Sequence, residues 1–337
     1  MFGQNVKNLS IQSDKSKTFN LSEIAEHVLP VGLEMNYACR FDNISDVLWS
    51  TKCLFVRVFD SKERRLSQQP ITRVLQYEHS GKFIREVVEP DTDIRKIFCD
   101  TLKDLLFIQK RKEMYCYDFD GIMIDTFLLK GSPCLYDNGY FWIHSTEFQQ
   151  NELQSFLIRY NLRTKSEDIH INNIDLSLKT ENATISRPAI FSFYNQTLVV
   201  SFGIDDMFHQ IDENKLIQVF KYTIEPNPSV SEKILSLFQG FTGNNLIIHF
   251  VKDMKHNLYL KNMRTGQEFQ TKYSRSKELI LTDGIEDDIL TTGFCDITPL
   301  NRPGYFYFVK KKEELSGNTN ISNENADLTI FLVQLKP

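Results

Sequence analysis

The chain has 337 residues, 41% hydrophobic and 25% charged, an ordinary balance for a folded protein. Net charge is −5, and the one basic run, Lys310-Lys311-Lys312, is followed at once by Glu313 and Glu314, which argues against nucleic acid as a partner. No stretch of about 18 apolar residues occurs, so no transmembrane segment is expected, while 26 Phe and 13 Tyr favour pleated β structure.

In chain order, residues 1–18 are polar and rich in Ser, Asn and Lys, without the apolar core of a signal peptide. They read as a flexible tether, with residues 19–337 forming a single propeller domain. Leu21–Glu26 reads as a short helical turn with Ser22 as its cap. AEHVLPVGLE, residues 25–34, reads as an isolated strand.

Six segments then follow that can be laid out as blades of four strands. The first, Ile44 to Val88, holds ISDVLWS, CLFVRVF and the hairpin VLQYEHSGKFIREV. The second, Asp93 to Leu129, holds IRKIFCD, DLLFIQK and the hairpin MYCYDFDGIMIDTFL. The third begins near Pro133 and contains GYFWIHS, SFLIRYNL and a weak outer strand near Asp168–Ile171. The fourth, Arg187 to Ile224, contains AIFSFYN, TLVVSFG, MFHQI and KLIQVFKYTI. The fifth, Ile234 to Tyr273, contains NLIIHFVKD and LYLKNMRTGQEFQTKY. The sixth starts near Phe294, with GYFYFVKKK, the polar loop 313–327 and LTIFLVQLK.

Gly81, Gly121 and Gly266 sit in the turns of recurring hairpins, and recurrence every 40–50 residues is the signature of a propeller. Continuous apolar runs such as Tyr305–Val309 suit strands buried on both faces between blades. With 14 Gly in all, several turns must use Asn, Asp or Ser. The last segment is one strand short. The expected fold is therefore an all-β, six-bladed β-propeller of four-stranded antiparallel blades, its ring closed by the N-terminal strand completing the last blade.

These phrases carry a resemblance. LSEIAEHVLPVGLE, YEHSGKFIREV, YDFDGIMIDTFLL, MFHQIDENKLIQVFKYTI and DLTIFLVQLK, in that order, resemble the six-bladed β-propeller family of exported lipoproteins of Gram-negative anaerobes, related to NHL-repeat propellers. The resemblance covers residues from about 18 to 337. It implies a periplasmic or cell-surface location and a lipid anchor on the precursor, without an established activity. A lipobox Cys near the start is missing, and a cytoplasmic location is the alternative.

Chemical candidates are sparse. Cys39, Cys53, Cys99, Cys116, Cys134 and Cys295 form no C-x-x-C pair and read as buried free thiols. His144 and His249 read as strand histidines satisfied by neighbouring groups. The loop Asp283–Asp288 lacks EF-hand spacing and reads as a solvated acidic loop, as do Asp205 and Asp206. No G-x-S-x-G, P-loop or dinucleotide fingerprint occurs.

In a propeller, loops leading into the innermost strands open on one face. Asp42, Asp93, Arg187 and Asp296 occupy that place in four blades and are the candidate ligand-binding residues. The expected function is a non-enzymatic ligand- or partner-binding propeller of the cell envelope, monomeric, without cofactor or metal. Its partner would be a small molecule, glycan or protein. The alternatives are a metal-dependent hydrolase, lactonase or lyase using the axial site, and a structural scaffold of an envelope complex. A large exposed apolar patch would favour a protein partner.

Overall fold

A computed structural model describes residues 6–35, 41–64, 70–149, 152–174, 177–179, 184–186, 189–202, 206–235, 238–275, 281–291, 293–315 and 326–337. The chain begins with β1 (Lys7–Gln12), β2 (Phe19–Asn20), the single helical turn α1 (Leu21–Ile24) and β3 (Ala25–Gly32). The first blade is β4 (Asn43–Trp49), β5 (Leu54–Arg64), β6 (Pro70–Tyr77) and β7 (Phe83–Glu86). The second is β8 (Ile94–Asp100), β9 (Leu105–Lys110), β10 (Glu113–Asp118) and β11 (Met123–Leu128). The third is β12 (Ser132–Asp137), β13 (Tyr140–Gln149), β14 (Glu152–Asn161) and β15 (Ser166–Ile174), followed by the small hairpin β16 (Ser177–Lys179) and β17 (Thr184–Ser186).

The fourth blade is β18 (Ile190–Tyr194), β19 (Thr197–Ser201), β20 (Met207–Asp212) and β21 (Lys215–Glu225), followed by α2 (Val230–Leu235). The fifth is β22 (Phe238–Thr242), β23 (Asn245–Lys252), β24 (Lys255–Asn262) and β25 (Glu268–Arg275), extended by β26 (Leu281–Asp283). Then come β27 (Ile285–Glu286), β28 (Phe294–Cys295), β29 (Thr298–Pro299), β30 (Tyr305–Lys311) and β31 (Leu328–Leu335). The last four-stranded blade has the order β29-β30-β31-β3.

The protein is an all-β propeller with four-stranded antiparallel blades, and the expected count of six is corrected to seven. The six sheets expected are all present, four of them four-stranded and two extended to five strands by β1 and β26, and a seventh, three-stranded sheet has the order β2-β27-β28. Its strands are two residues each and come from distant parts of the chain, too short to leave an alternating pattern.

The N-terminal strand does complete the last blade. β3 pairs antiparallel with β31, from Ala25 opposite Leu335 to Gly32 opposite Thr329. The stretch expected to be a tether contains β1, which adds in parallel to β21, Lys7 opposite Phe220 through Gln12 opposite Glu225. Its alternation Leu9, Ile11 buries Ile11 at 1% exposure against the fourth blade. The turn α1 is not capped by Ser22. The Asn20 N–H donates to the Glu23 carboxylate at 2.8 Å instead, and Ser22 turns its hydroxyl to Asp288.

The described contacts divide the chain into two compact units: residues 1–19, 130–286 and 337, and residues 20–129 and 287–336. In the second unit, β5 shows why its sequence is continuously apolar. Leu54, Val56 and Val58 pack with Ile330 and Leu332 of the last blade, while Phe55 packs with Ile97, Leu106 and Ile108 of the second. In the first unit β19 does the same, with Val199 against Ile248 and Phe250, and Val200 against Trp142 and Leu157. Strands between blades are thus apolar on both faces of the pleat.

Turn chemistry follows the glycine shortage. Two-residue turns with both central residues at positive φ are built by Asn138-Gly139 (47°, 88°), Asn195-Gln196 (49°, 64°) and Asp253-Met254 (51°, 57°). Gly81 is needed twice over. Its φ is 87°, and a Cβ there would lie 2.0 Å from the carbonyl oxygen of Gly32. That close approach seats the end of β3 on the first blade, where Glu34 N–H donates to the Gly81 carbonyl at 2.9 Å.

Candidate functional site

Asp42 stands directly before β4, Asp93 directly before β8, and Asp296 two residues before β29, so each precedes the first strand of its blade. Arg187 lies outside the described residues. All three acids are half-buried. Asp93 is engaged by Arg111, whose guanidinium donates from Nε at 2.8 Å and approaches through Nη2 at 2.7 Å. Asp42 accepts from the Asn43 side chain. These acids have protein partners, as residues at strand beginnings often do.

The acidic loop is not solvated throughout, which corrects its sequence reading. Asp287 is 2% exposed and Lys310 3%, and they form an ion pair at 3.3 Å. Burial pushes the Asp287 carboxyl up. Bonds from the Thr291 hydroxyl, the Lys310 ammonium and the N–H groups of Leu290 and Ile289 outweigh it, and the net shift is below the ordinary value. Removing either partner would strand a buried charge, so this pair ties the loop to β30. Asp283 accepts from Thr18 and the Gly284 N–H, both at 2.9 Å. Asp205 lies outside the described residues, and Asp206 pairs with Lys233 at 3.1 Å.

His144 is buried, and its Nδ1 receives the Ala189 N–H at 3.3 Å. His249 lies 5.5 Å from His256 and 5.6 Å from Tyr273, ring centre to ring centre. Burial, then the neighbouring His256, pushes its imidazole down to about 4. Cys53, Cys99, Cys116, Cys134 and Cys295 are free thiols, and Cys39 lies outside the described residues. Burial, with Cys53 nearby, pushes Cys99 up to about 12, the opposite of a reactive thiolate. Among the described residues no group of three or more His, Cys, Asp or Glu is placed to hold a metal.

The feature that sequence reasoning passed over is an edge. β11 is the last strand of its sheet, and among the described residues nothing pairs with its open side. Three large apolar side chains are exposed on it, Met123 at 57%, Ile124 at 57% and Leu128 at 69%, and Ile122 directly before it is exposed at 64%. Ile84 on β7 is exposed as well, and the Arg85 side chain beside it donates to the Asp120 carbonyl at the tip of the β10–β11 turn.

Other outer strands are defended in the ways edges usually are. β3 carries Pro30 and Glu26, β15 carries Glu167 and Asp168, and β7 has only four residues, two of them charged. β21 and β25 are covered by β1 and β26. β11, MIDTFL, has Asp125 alone. The signal was legible as a strand of six residues with one charge at the outer position of a blade. The sequence shows it only as half of a hairpin, because exposure on both faces depends on what fails to pack there.

No known protein family matches the chain, and no curated protein matches it. Among solved structures, a candidate exported protein of Bacteroides fragilis is similar at a TM-score of 0.68, with 13% identity, over 98% of this chain and 100% of that one. The acylaminoacyl peptidase of Pyrococcus horikoshii is similar at 0.46, with 8% identity, over 79% of this chain and 42% of that one. The β-propeller domain of the trilobed protease of Pyrococcus furiosus is similar at 0.39, with 9% identity, over 80% and 79%. At 13% identity the likeness to the exported protein is one of fold. No helix is long and apolar enough to cross a membrane among the described residues.

Proposed function

We propose that this chain is a non-enzymatic binding propeller of the cell envelope and that the apolar outer edge of the second blade is where a protein partner docks. The observation that carries the reading is the exposure of Met123, Ile124 and Leu128 on an edge strand with a single charge, with Ile122 exposed directly before it. The likeness in fold to a candidate exported protein supports the envelope location. Membership of the exported lipoprotein propellers related to NHL repeats belongs to the same proposal, as does a lipid anchor. A small polar ligand at Asp42, Asp93, Arg187 and Asp296 is the second proposal, supported by the place of the three described acids before the first strands of their blades.

The test is a photo-reactive residue at Ile124 in envelope preparations of the source organism. The expected result is one adduct of constant mass, lost when Met123→Asp and Leu128→Asp are added, and missing when the probe sits at Leu102, which is 86% exposed away from this strand. An adduct pattern equal to that of the Leu102 control, or one indifferent to the two substitutions, would overturn the reading.

A further inference from the structure

We infer that the β11 edge binds its partner by strand addition, and that the partner strand alternates apolar with basic residues. This rests on the partner-binding reading above and specifies its chemistry. The first support is the hydrogen-bond register. Leu129 N–H donates to the Lys112 carbonyl at 3.0 Å, which makes 112 and 129 a bonded pair. Bonded and non-bonded pairs alternate along an antiparallel ladder. With Met114 opposite Phe127 and Glu113 opposite Leu128, the backbone groups of Thr126 and Leu128 point to the open side. Those are the groups an added strand uses.

The second support is how this chain treats the outer strand of its fourth blade. There β21 takes β1, Lys7–Gln12, as an extra parallel strand, and the added segment alternates polar with apolar residues from Asn8 to Gln12. Outer strands of this fold therefore accept an added strand.

The third support is charge. The hairpin from Glu113 to Leu128 carries Glu113, Asp118, Asp120 and Asp125 and no base. Neighbouring bases are held elsewhere or offset: Lys110 lies 3.7 Å from Asp91, Arg111 2.7 Å from Asp93 and Lys130 3.0 Å from Glu167, while Arg85 meets Asp120 at 3.9 Å. Lys112 stands at the base of the hairpin. An acidic hairpin disfavours a second copy of itself and an anionic lipid surface, and favours a basic strand.

Asp125 gives the edge a gate. Its carboxylate accepts the Thr126 N–H at 2.9 Å, occupying one of the outward donors. A lysine on an arriving strand would draw the carboxylate to itself and release that N–H to the partner's carbonyl. A neutral apolar strand gains no such exchange, so the gate selects for charge while guarding the edge against indiscriminate pairing.

The experiment uses the full chain and three synthetic peptides: one alternating lysine with valine, its glutamate counterpart, and the lysine peptide N-methylated at alternate backbone nitrogens. Affinities are read by fluorescence anisotropy and the contact by amide exchange. The lysine peptide should bind at least about tenfold tighter than the glutamate one, the N-methylated form should lose binding, and Thr126 and Leu128 amides should become protected. Leu128→Pro removes an outward donor at a position where an outer strand tolerates proline, so binding should fall while the melting curve stays in place. Asp125→Asn should narrow the difference between the two charged peptides.

Equal binding of the N-methylated peptide, protection at another strand, or no charge preference would overturn the inference. So would binding to phosphatidylglycerol vesicles that survives Leu128→Pro and is lost with Met123→Ser and Ile124→Ser. If the peptides fail while the Ile124 adduct persists, strand addition falls and the partner-binding reading stands.

Discussion

The outer strands β21 and β11 occupy the same place in their blades and meet opposite fates. β21 is covered by the chain's own β1, whose Ile11 is buried to 1% exposure. β11 is left open with Leu128 at 69% exposure. An uncovered strand edge is a hazard that natural proteins mostly suppress. Six residues of this chain cover one edge, while the other is left apolar and open, which is the contrast on which the proposed docking role rests. The difference also separates two kinds of apolar residue: those whose loss costs stability, and those whose loss should cost only binding.

The largest effect should come from uncovering an edge that the fold cannot do without. Deleting residues 1–35 removes β3 and exposes β31, seven of whose eight residues are buried. The truncated chain should fail to give a cooperative melting transition, and an unchanged melting temperature would show that β3 is dispensable.

Gly81→Ala attacks the same junction by one methyl group. A Cβ 2.0 Å from the Gly32 oxygen, at a φ of 87°, must push β3 off the first blade, and a loss of at least about 3 kcal/mol in denaturant unfolding is expected. Gly266→Ala is the control, since its φ is 78° but nothing lies within 4 Å, and it should cost about 1 kcal/mol.

A pH titration probes the fifth blade. His249 is pushed down to about 4 from 6.5, so below pH 6.5 the unfolded chain takes up a proton that the folded chain refuses. Stability should fall as pH drops from 6.5 towards 4, by up to about 3 kcal/mol. His249→Phe should flatten that slope, and a slope unchanged by the substitution would assign it to other groups.

Deleting residues 1–12 removes β1 alone. The cost should be about 1–2 kcal/mol, mainly the burial of Ile11, with faster amide exchange along the freed side of β21. The smallest effect is expected at the open edge. Ile124→Asp with Leu128→Asp should change stability by less than about 0.5 kcal/mol, because both side chains already face solvent. A large loss there would mean that β11 is packed in solution and that the contrast with β21 is false.

The strands, their hairpins and the pairing of the two chain ends were readable from residues alone. Side-chain alternation and turn chemistry are local, so YEHSGKF or FYNQTLVV announces its own geometry, and a blade one strand short announces a missing partner. Four things were decided only by tertiary structure. The seventh sheet is made of two-residue strands that have no pattern apart from one another. β1 looks like a polar tether until β21 supplies a ladder for it. Asp287 reads as one acid in a solvated loop until Lys310, 23 residues later, is folded against it in a buried site. The exposure of Ile122, Met123, Ile124 and Leu128 depends on no strand arriving at their side, and what does not arrive is a property of the whole fold, since a strand's own residues specify its shape but not its neighbours.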